Sequence, residues 1–251
     1  MRKKLSIITV VYNDLDGIIR TTNSIRDNIS KIQNDDQIEF VVIDGGSSDG
    51  TNLFIKENVH FASKYISEKD NGIYDAMNKG IELSTGNWIV FMNAGDTFSD
   101  VNVLSKIIGN INCNKDGFNF LWGKYCADGQ VFTQECSLSF LISRMLNHQS
   151  IIYHRSLFTV NYDLRYRFCA DYAHLLSIWP QLRPQSLDFC IANFDTTGVS
   201  SQTSNKARMW QERLLAVWRS NLNFFQKIIL SSRGFIAWPY HFMKIKFHKV
   251  R

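Results

Sequence analysis

Apolar residues along this chain fall into short runs that end in polar groups, and the runs alternate with stretches of helical period. Leu5 to Val11 is apolar apart from Ser6 and Thr9, and it closes on Tyr12, Asn13 and Asp14. Phe40 to Ile43 closes on Asp44, and Trp88 to Met92 closes on Asn93-Ala94-Gly95-Asp96. Runs of this kind predict strands buried on both faces of a parallel sheet. Between them, Ile18, Ile19, Thr22, Ile25 and Ile29 mark one face of a helix over 14–29. Thr51 to Asn58 predicts a short helix and Phe61 to Ser67 a strand. Ile73, Ala76, Met77, Gly80 and Ile81 fall one and two turns apart and predict a helix that Thr85-Gly86 stops. Strands alternating with helices imply βαβ units and an α/β fold. Three strands that leave polar groups at their carboxyl ends converge on one crevice, where open α/β sheets bind ligands.

Past Asp96 the pattern weakens. A helix over Thr97–Val103 would make Asp96 its N-cap. Phe118 to Tyr125 and Gln130 to Thr133 read as strands around an Asp128-Gly129 turn, Leu138 to Leu146 as a helix, and Ile151 to Tyr153 as a short strand. Ala170 to Trp179 reads as a helix ending before Pro180, and Leu187 to Phe194 as a last strand. From Lys206 the chain reads as helical, with a break near Ser231–Gly234.

Charge divides the chain. Its 251 residues carry a net +5, but residues 205–251 hold ten Lys or Arg and one acid, giving +9. The first 204 residues keep 18 bases and 22 acids, giving −4. The basic segment also carries nine Trp, Phe and Tyr residues, a composition suited to an anionic membrane surface. Nucleic acid or a second copy of the chain would be the other partners, and the membrane is the expected one. Five scattered cysteines without a C-x-x-C pair are expected as free thiols in a reducing compartment. With no signal segment and no run near ~20 apolar residues, the expectation is a cytoplasmic protein peripheral to the membrane.

Four segments occur in a telling order: Thr9-Val-Val-Tyr12, Asp44-Gly-Gly-Ser-Ser-Asp-Gly-Thr51, Asp70-Asn-Gly-Ile-Tyr-Asp-Ala-Met-Asn-Lys-Gly80 and Phe91-Met-Asn-Ala-Gly-Asp96. Together they resemble the family 2 glycosyltransferases of the GT-A fold, above all bacterial enzymes that build O-antigen and exopolysaccharide repeat units. The likeness runs through about residues 4–100, with weaker echoes to about 195. It implies a GT-A (Rossmann-like) α/β domain over 1–204, with a mixed, mainly parallel sheet flanked by helices. Residues 205–251 would form a helical extension. It also implies inverting transfer of a hexose from a UDP-linked donor to a lipid-diphosphate-linked saccharide at the inner membrane face.

The resemblance assigns roles to particular residues. Thr9, Val10, Tyr12 and Asp44 would hold the nucleotide, with Asp44 accepting from a base N–H. Asp70, Tyr74, Asn78 and Lys79 would grip the diphosphate and sugar at a helix N-terminus, Lys79 as a point charge. Asn93 and Ala94 would also face the donor. In the family an Asp-x-Asp or Asp-x-Asp-Asp run binds the metal; in Asn93-Ala94-Gly95-Asp96 only the last acid, Asp96, remains, while Asn93 and Gly95 replace the other two. Asp96, with His148 of Asn147-His148-Gln149, would hold Mn²⁺ or Mg²⁺, completed by diphosphate and water oxygens. The family's base is the Asp of a Glu-Asp pair. Asp171 keeps its place while Ala170 replaces the Glu, and Asp163 is the second choice. A nucleotidyltransferase and a non-catalytic sugar-nucleotide-binding protein are the rival readings. The first lacks a basic Gly-rich loop after strand one, and the second rests on the lone Asp96.

Overall fold

The computed structural model describes residues 4–32, 37–198 and 205–232. They fall into two compact units, one drawn from the described residues of 4–133, 147–161 and 182–195, the other from those of 134–146, 162–181 and 196–232. An expected boundary at 205 thus meets a second unit that also draws in two earlier stretches.

The larger unit is built on one nine-stranded sheet. Its strands are β1 (Leu5–Val11), β2 (Ile38–Asp44), β3 (Lys64–Ser67), β4 (Trp88–Phe91), β5 (Thr97–Phe98), β6 (Phe120–Ala127), β7 (Gln130–Phe132), β8 (Ile151–His154) and β9 (Pro184–Asn193). The spatial order is β3-β2-β1-β4-β8-β6-β9-β5, with β7 hairpinned onto β6. The first four are parallel; β8 runs antiparallel to β4 and β6, and β9 parallel to β6. The carboxyl ends of β1, β2, β4, β6 and β9 therefore share one edge.

The helices of this unit are α1 (Leu15–Ile29), α2 (Thr51–Asn58), α3 (Ile73–Leu83) and α4 (Val103–Asn112). Residues β1 and β2 are buried throughout because both sheet faces are covered. Ile7, Phe40 and Val42 join Ile18 and Ile25 of α1 and Leu104 and Ile107 of α4 in one core. Ile8 and Ile43 point the other way, against Gly80 of α3. Ile18 and Ile25 are fully buried, each contributing about 1.5–3 kcal/mol. Asp14 caps α1 by accepting from Gly17 N–H at 2.9 Å.

The expected helix at Thr97 is instead β5, because Thr97 and Phe98 pair with Asn193 and Ala192 of β9. Asp96 is therefore no N-cap, and the next helix waits until Val103. The 128–129 turn has Asp128 at φ 49° and Gly129 at φ 74°, the two positive angles a two-residue hairpin turn needs.

The smaller unit holds α5 (Leu138–Leu141), α6 (Ala170–Ile178), α7 (Lys206–Arg219) and α8 (Phe224–Ser231). The helix expected over 138–146 stops at Leu141. Arg213 Nη2 takes the Leu141 and Arg144 carbonyls at 2.9 and 3.2 Å, leaving fewer acceptors to continue it. Arg213 itself is buried, stacked 4.2 Å from Trp210 and 5.0 Å from Tyr172. In the tail an unexpected break falls at 220–223, where Asn223 and Gln226 form a capping box for α8, and α8 ends at Ser231, where the expected break begins. Gly234, at the far end of the break expected there, lies outside the described residues, as does the basic stretch from 233 to 251. Among the described residues no helix is long and apolar enough to cross a membrane.

Candidate active site at the carboxyl edge of the sheet

Val11 and Asp44 stand in register at the ends of β1 and β2, so the turns that follow are neighbours. Asn13, with φ 49°, accepts from Ser48 N–H at 2.8 Å and its own N–H reaches Ser47 Oγ at 2.7 Å. Leu15 N–H reaches Asp49 Oδ2 at 3.1 Å. The two turns are stitched into one surface. Gly45 lets the next loop in: a Cβ there would overlap the Asp70 carboxylate and press on the Tyr12 ring. Tyr12 is 64% exposed, and Asp70 anchors its own loop by accepting from Gly72 N–H at 2.9 Å. The exposed Tyr12 and the half-buried Asp70 thus frame a mouth over the buried Gly45, at the carboxyl ends of β1 and β2.

Beneath the mouth the expected ligand groups are braces. Asp44 is fully buried; Ser47 Oγ donates to it at 2.5 Å and Ser67 Oγ at 2.6 Å, with Ser47 N–H at 3.1 Å. Its carboxylate holds the turn and does not reach outward toward a base N–H. Thr9 is equally buried and donates to the Met92 carbonyl at 2.7 Å, so its hydroxyl is committed inside the sheet. Val10 accepts Ala94 N–H at 3.1 Å, fixing the 93–96 turn to β1. On α3, Tyr74 and Asn78 are buried. Lys79 pairs with Glu68 at 2.7 Å and stands 3.8 Å from Asp75; the Glu68 hydrogen bond raises its pKa. Its charge is already balanced, unlike that of the phosphate cation expected here.

The 93–96 turn is a buried polar knot. Thr21 Oγ1 donates to the Asp96 carbonyl at 2.7 Å and lies 3.2 Å from that of Asn93. Asp96 is 3% exposed; its Oδ1 accepts from Asp195 N–H at 2.8 Å and its Oδ2 from Gln149 Nε2 at 2.7 Å. Burial pushes its carboxyl up to about 7, and the Asp195 carboxylate adds to the rise; Asp195 N–H, His148 and Gln149 offset only part. Asn93 Nδ2 lies 3.1 Å from His148 Nε2. Two acceptors on this knot, Asn93 Oδ1 and Gln149 Oε1, are buried without a donor, a costly state.

Buried oxygen acceptors beside a carboxylate raised by burial are what a hard divalent cation relieves, so the donor set fits Mn²⁺ or Mg²⁺. Asp96, Asn93 and Gln149 would be the protein's share, and His148 would join only by leaving Asn93. Among the described residues no cluster of three or more His, Cys, Asp or Glu forms a complete site. The remaining ligands would come from a diphosphate and water.

The base candidates lie in the smaller unit. Asp171 is in the first turn of α6 and is 8% exposed. Asp163 is clasped by Arg165 through Nε at 2.9 Å and Nη2 at 2.6 Å, and that pairing lowers its pKa, a poor setting for a base. Glu212 of α7 is an unexpected participant. Its buried carboxylate accepts from the Arg167, Phe168 and Cys169 N–H groups at 3.2, 2.8 and 3.2 Å, and so shapes the entry to α6. The other missed residue is Asp195. The pattern that marks Asp44 and Asp96, an apolar strand ending in an acid, also holds from Leu187 to Asp195 and would have found it.

The family described as "Glycosyl transferase family 2" matches residues 6–166. A "PGL/p-HBAD biosynthesis glycosyltransferase" of Mycobacterium bovis BCG is 30% identical over 219 residues, covering 79% of this chain and 77% of the relative. An uncharacterized glycosyltransferase of Mycobacterium tuberculosis, Rv1514c, is 30% identical over 213 residues, covering 81% and 79%. Among solved structures, Staphylococcus aureus TarS in complex with UDP superposes with a TM-score of 0.70 at 16% identity, over 91% of this chain and 70% of that one. The Pyrobaculum calidifontis mannosyltransferase PcManGT, in complex with GDP-Man and Mn²⁺, superposes with a TM-score of 0.71 at 15% identity, over 100% and 76%. These likenesses place the fold among the GT-A glycosyltransferases.

Proposed function

The chain belongs to the family 2 glycosyltransferases, and from that premise we propose that it transfers a hexose, with inversion, from a UDP-linked donor to a lipid-diphosphate-linked saccharide. The end product would be a surface polysaccharide of the O-antigen or exopolysaccharide kind. The observation that carries the reading is the carboxyl edge itself. Tyr12 and Asp70 frame a mouth over Gly45 on the same edge as a buried turn whose Asp96 and Asn93 oxygens, with the Gln149 oxygen beside them, suit a cation. The UDP held by TarS and the GDP-Man and Mn²⁺ held by PcManGT support the donor class and the cation.

In this reading the Tyr12 ring meets the base, while Asp44 and Thr9 hold the turns that shape its pocket. The start of α3, the positive end of its dipole, faces the diphosphate. Bound Mn²⁺ or Mg²⁺ supplies neutralisation of the charge that develops on the leaving diphosphate. Asp171 takes the proton of the acceptor hydroxyl as its oxygen attacks the anomeric carbon. Membrane contact falls to the tail: α8 exposes Phe224, Phe225, Ile228 and Ile229 on one side, and five further Lys or Arg follow with no acid.

A screen of nucleotide sugars against a synthetic diphosphate-lipid acceptor, with the product linkage read by NMR, tests the transfer. A UDP-sugar should be consumed and an inverted linkage formed. Retention of configuration, or preference for a nucleoside triphosphate, would refute it. Sedimentation with anionic vesicles at low and high salt tests the tail; absence of binding at low salt would remove the membrane role.

A further inference from the structure

The turn 93–96 has a glycine at position 95, and the space its side chain would take is filled from elsewhere. An ideal Cβ on Gly95 would stand 2.8 Å from Asp195 Oδ2 and 3.3 Å from its Cγ. With Gly95 at φ +93°, the backbone is also one that favours glycine. We propose that Asp195, reaching in from the end of β9, supplies the second carboxylate of the divalent-cation site, in the space a residue-95 side chain would take. The proposal rests on the cation reading above and adds a ligand to it.

Three further observations support it. Asp195 N–H already bonds Asp96 Oδ1 at 2.8 Å, so the two acids are held together by their own backbone. Gln149, 3% exposed, presents its amide to Asp96 through Nε2, which leaves the donorless Oε1 on that same amide beside the pair. Asn93 Oδ1, on the same turn, is likewise buried without a donor. Two neighbouring carboxylates with orphaned amide oxygens repel one another in a low dielectric unless a cation joins them. Arg20 partly fills that role, with Nη2 at 3.0 Å from Asp195 Oδ2. Its side chain is 52% exposed, however, so the pair is weak and gives way to a divalent ion at little cost.

Manganese binding to the full chain, followed by the EPR signal of free Mn²⁺ in the presence of UDP, separates the roles without any turnover. Asp195→Asn keeps the shape and should weaken Mn²⁺ binding by about tenfold or more, while UDP binding in EDTA stays as in wild type. Arg20→Ala should leave Mn²⁺ binding equal or tighter, because Asp195 loses a competing cation. If Asp195 only anchors Arg20, the two variants will lose thermal stability alike and neither will change Mn²⁺ affinity, which overturns the proposal. A folded Asp195→Asn that binds Mn²⁺ as wild type overturns the Asp195 assignment and leaves the cation at Asp96. Wild-type protein with UDP that binds no Mn²⁺ overturns both.

Discussion

Glu39 at the amino edge of the sheet and Asp96 at its carboxyl edge are buried to the same degree, each 3% exposed. Their surroundings differ. Burial raises the Glu39 pKa, but Thr85 N–H at 2.6 Å, Ser6 Oγ at 2.7 Å, Thr85 Oγ1 at 3.1 Å and Lys64 at 3.4 Å bring it below the ordinary value. Arg155 completes that edge by donating to the Gly86 and Ile81 carbonyls and to Ser84 Oγ. Around Asp96 burial wins, and two amide oxygens lack donors. Glu39 is satisfied by the chain itself. Asp96 sits among polar groups in a state that a ligand would relieve, the difference expected between an acid that binds and one that only braces the fold.

Exchanging each acid for its amide breaks the comparison most sharply. Asp96→Asn should cut transfer by about 10²–10³-fold, the worth of one electrostatic group at a developing charge, with the fold intact. Equal turnover in that variant would return Asp96 to a structural role. Asp171→Asn should cost roughly 10²-fold in turnover with UDP affinity unchanged; if Asp163→Asn is the crippling change instead, the base is misassigned. Glu39→Gln should leave turnover alone and lower stability by about 1–3 kcal/mol, seen as a fall of roughly 2–4 °C in Tm per kcal/mol. A loss of activity at the assay temperature without a fall in Tm would contradict the division between edges.

The smallest effect is on pH. Asp96 titrates near 3.8 unfolded and at about 7 folded. A raised folded pKa favours the native state while the proton stays on. The Asp96 contribution is thus full below 3.8 and falls until pH reaches about 7. Ligand-free wild type should therefore lose Tm relative to Asp96→Asn between pH 5 and 7, with the difference flat above. Parallel Tm curves would show that Asp96 is ionised throughout.

The regular half of this fold was legible because its signals are local. Leu5–Val11 and Thr51–Asn58 announce themselves by hydrophobic pattern, and the acids Asp44 and Asp96 mark the carboxyl ends of β2 and β4. Long-range competition hid the rest. Thr97–Phe98 became a strand only because β9 pairs with it, and the helix after Leu138 was cut short by an arginine some seventy residues away. Asp44 ends β2 and Thr9 lies near the end of β1, and their bonds to Ser47, Ser67 and the Met92 carbonyl hold both side chains within the fold, which no spacing encodes. Asp195 could be found as an acid at a strand end, but its place beside the 93–96 turn follows only from the long-range pairing of β9 with β5.

Calorimetry of UDP binding with and without Mn²⁺, on wild type, Asp96→Asn and Glu39→Gln, addresses the carboxyl-edge assignment most directly. Mn²⁺ should tighten UDP binding by about tenfold or more in wild type and in Glu39→Gln, and should do nothing in Asp96→Asn. UDP binding that is the same in Mn²⁺ and EDTA, or that Mn²⁺ strengthens equally in Asp96→Asn, would contradict the assignment of cation and nucleotide to this edge.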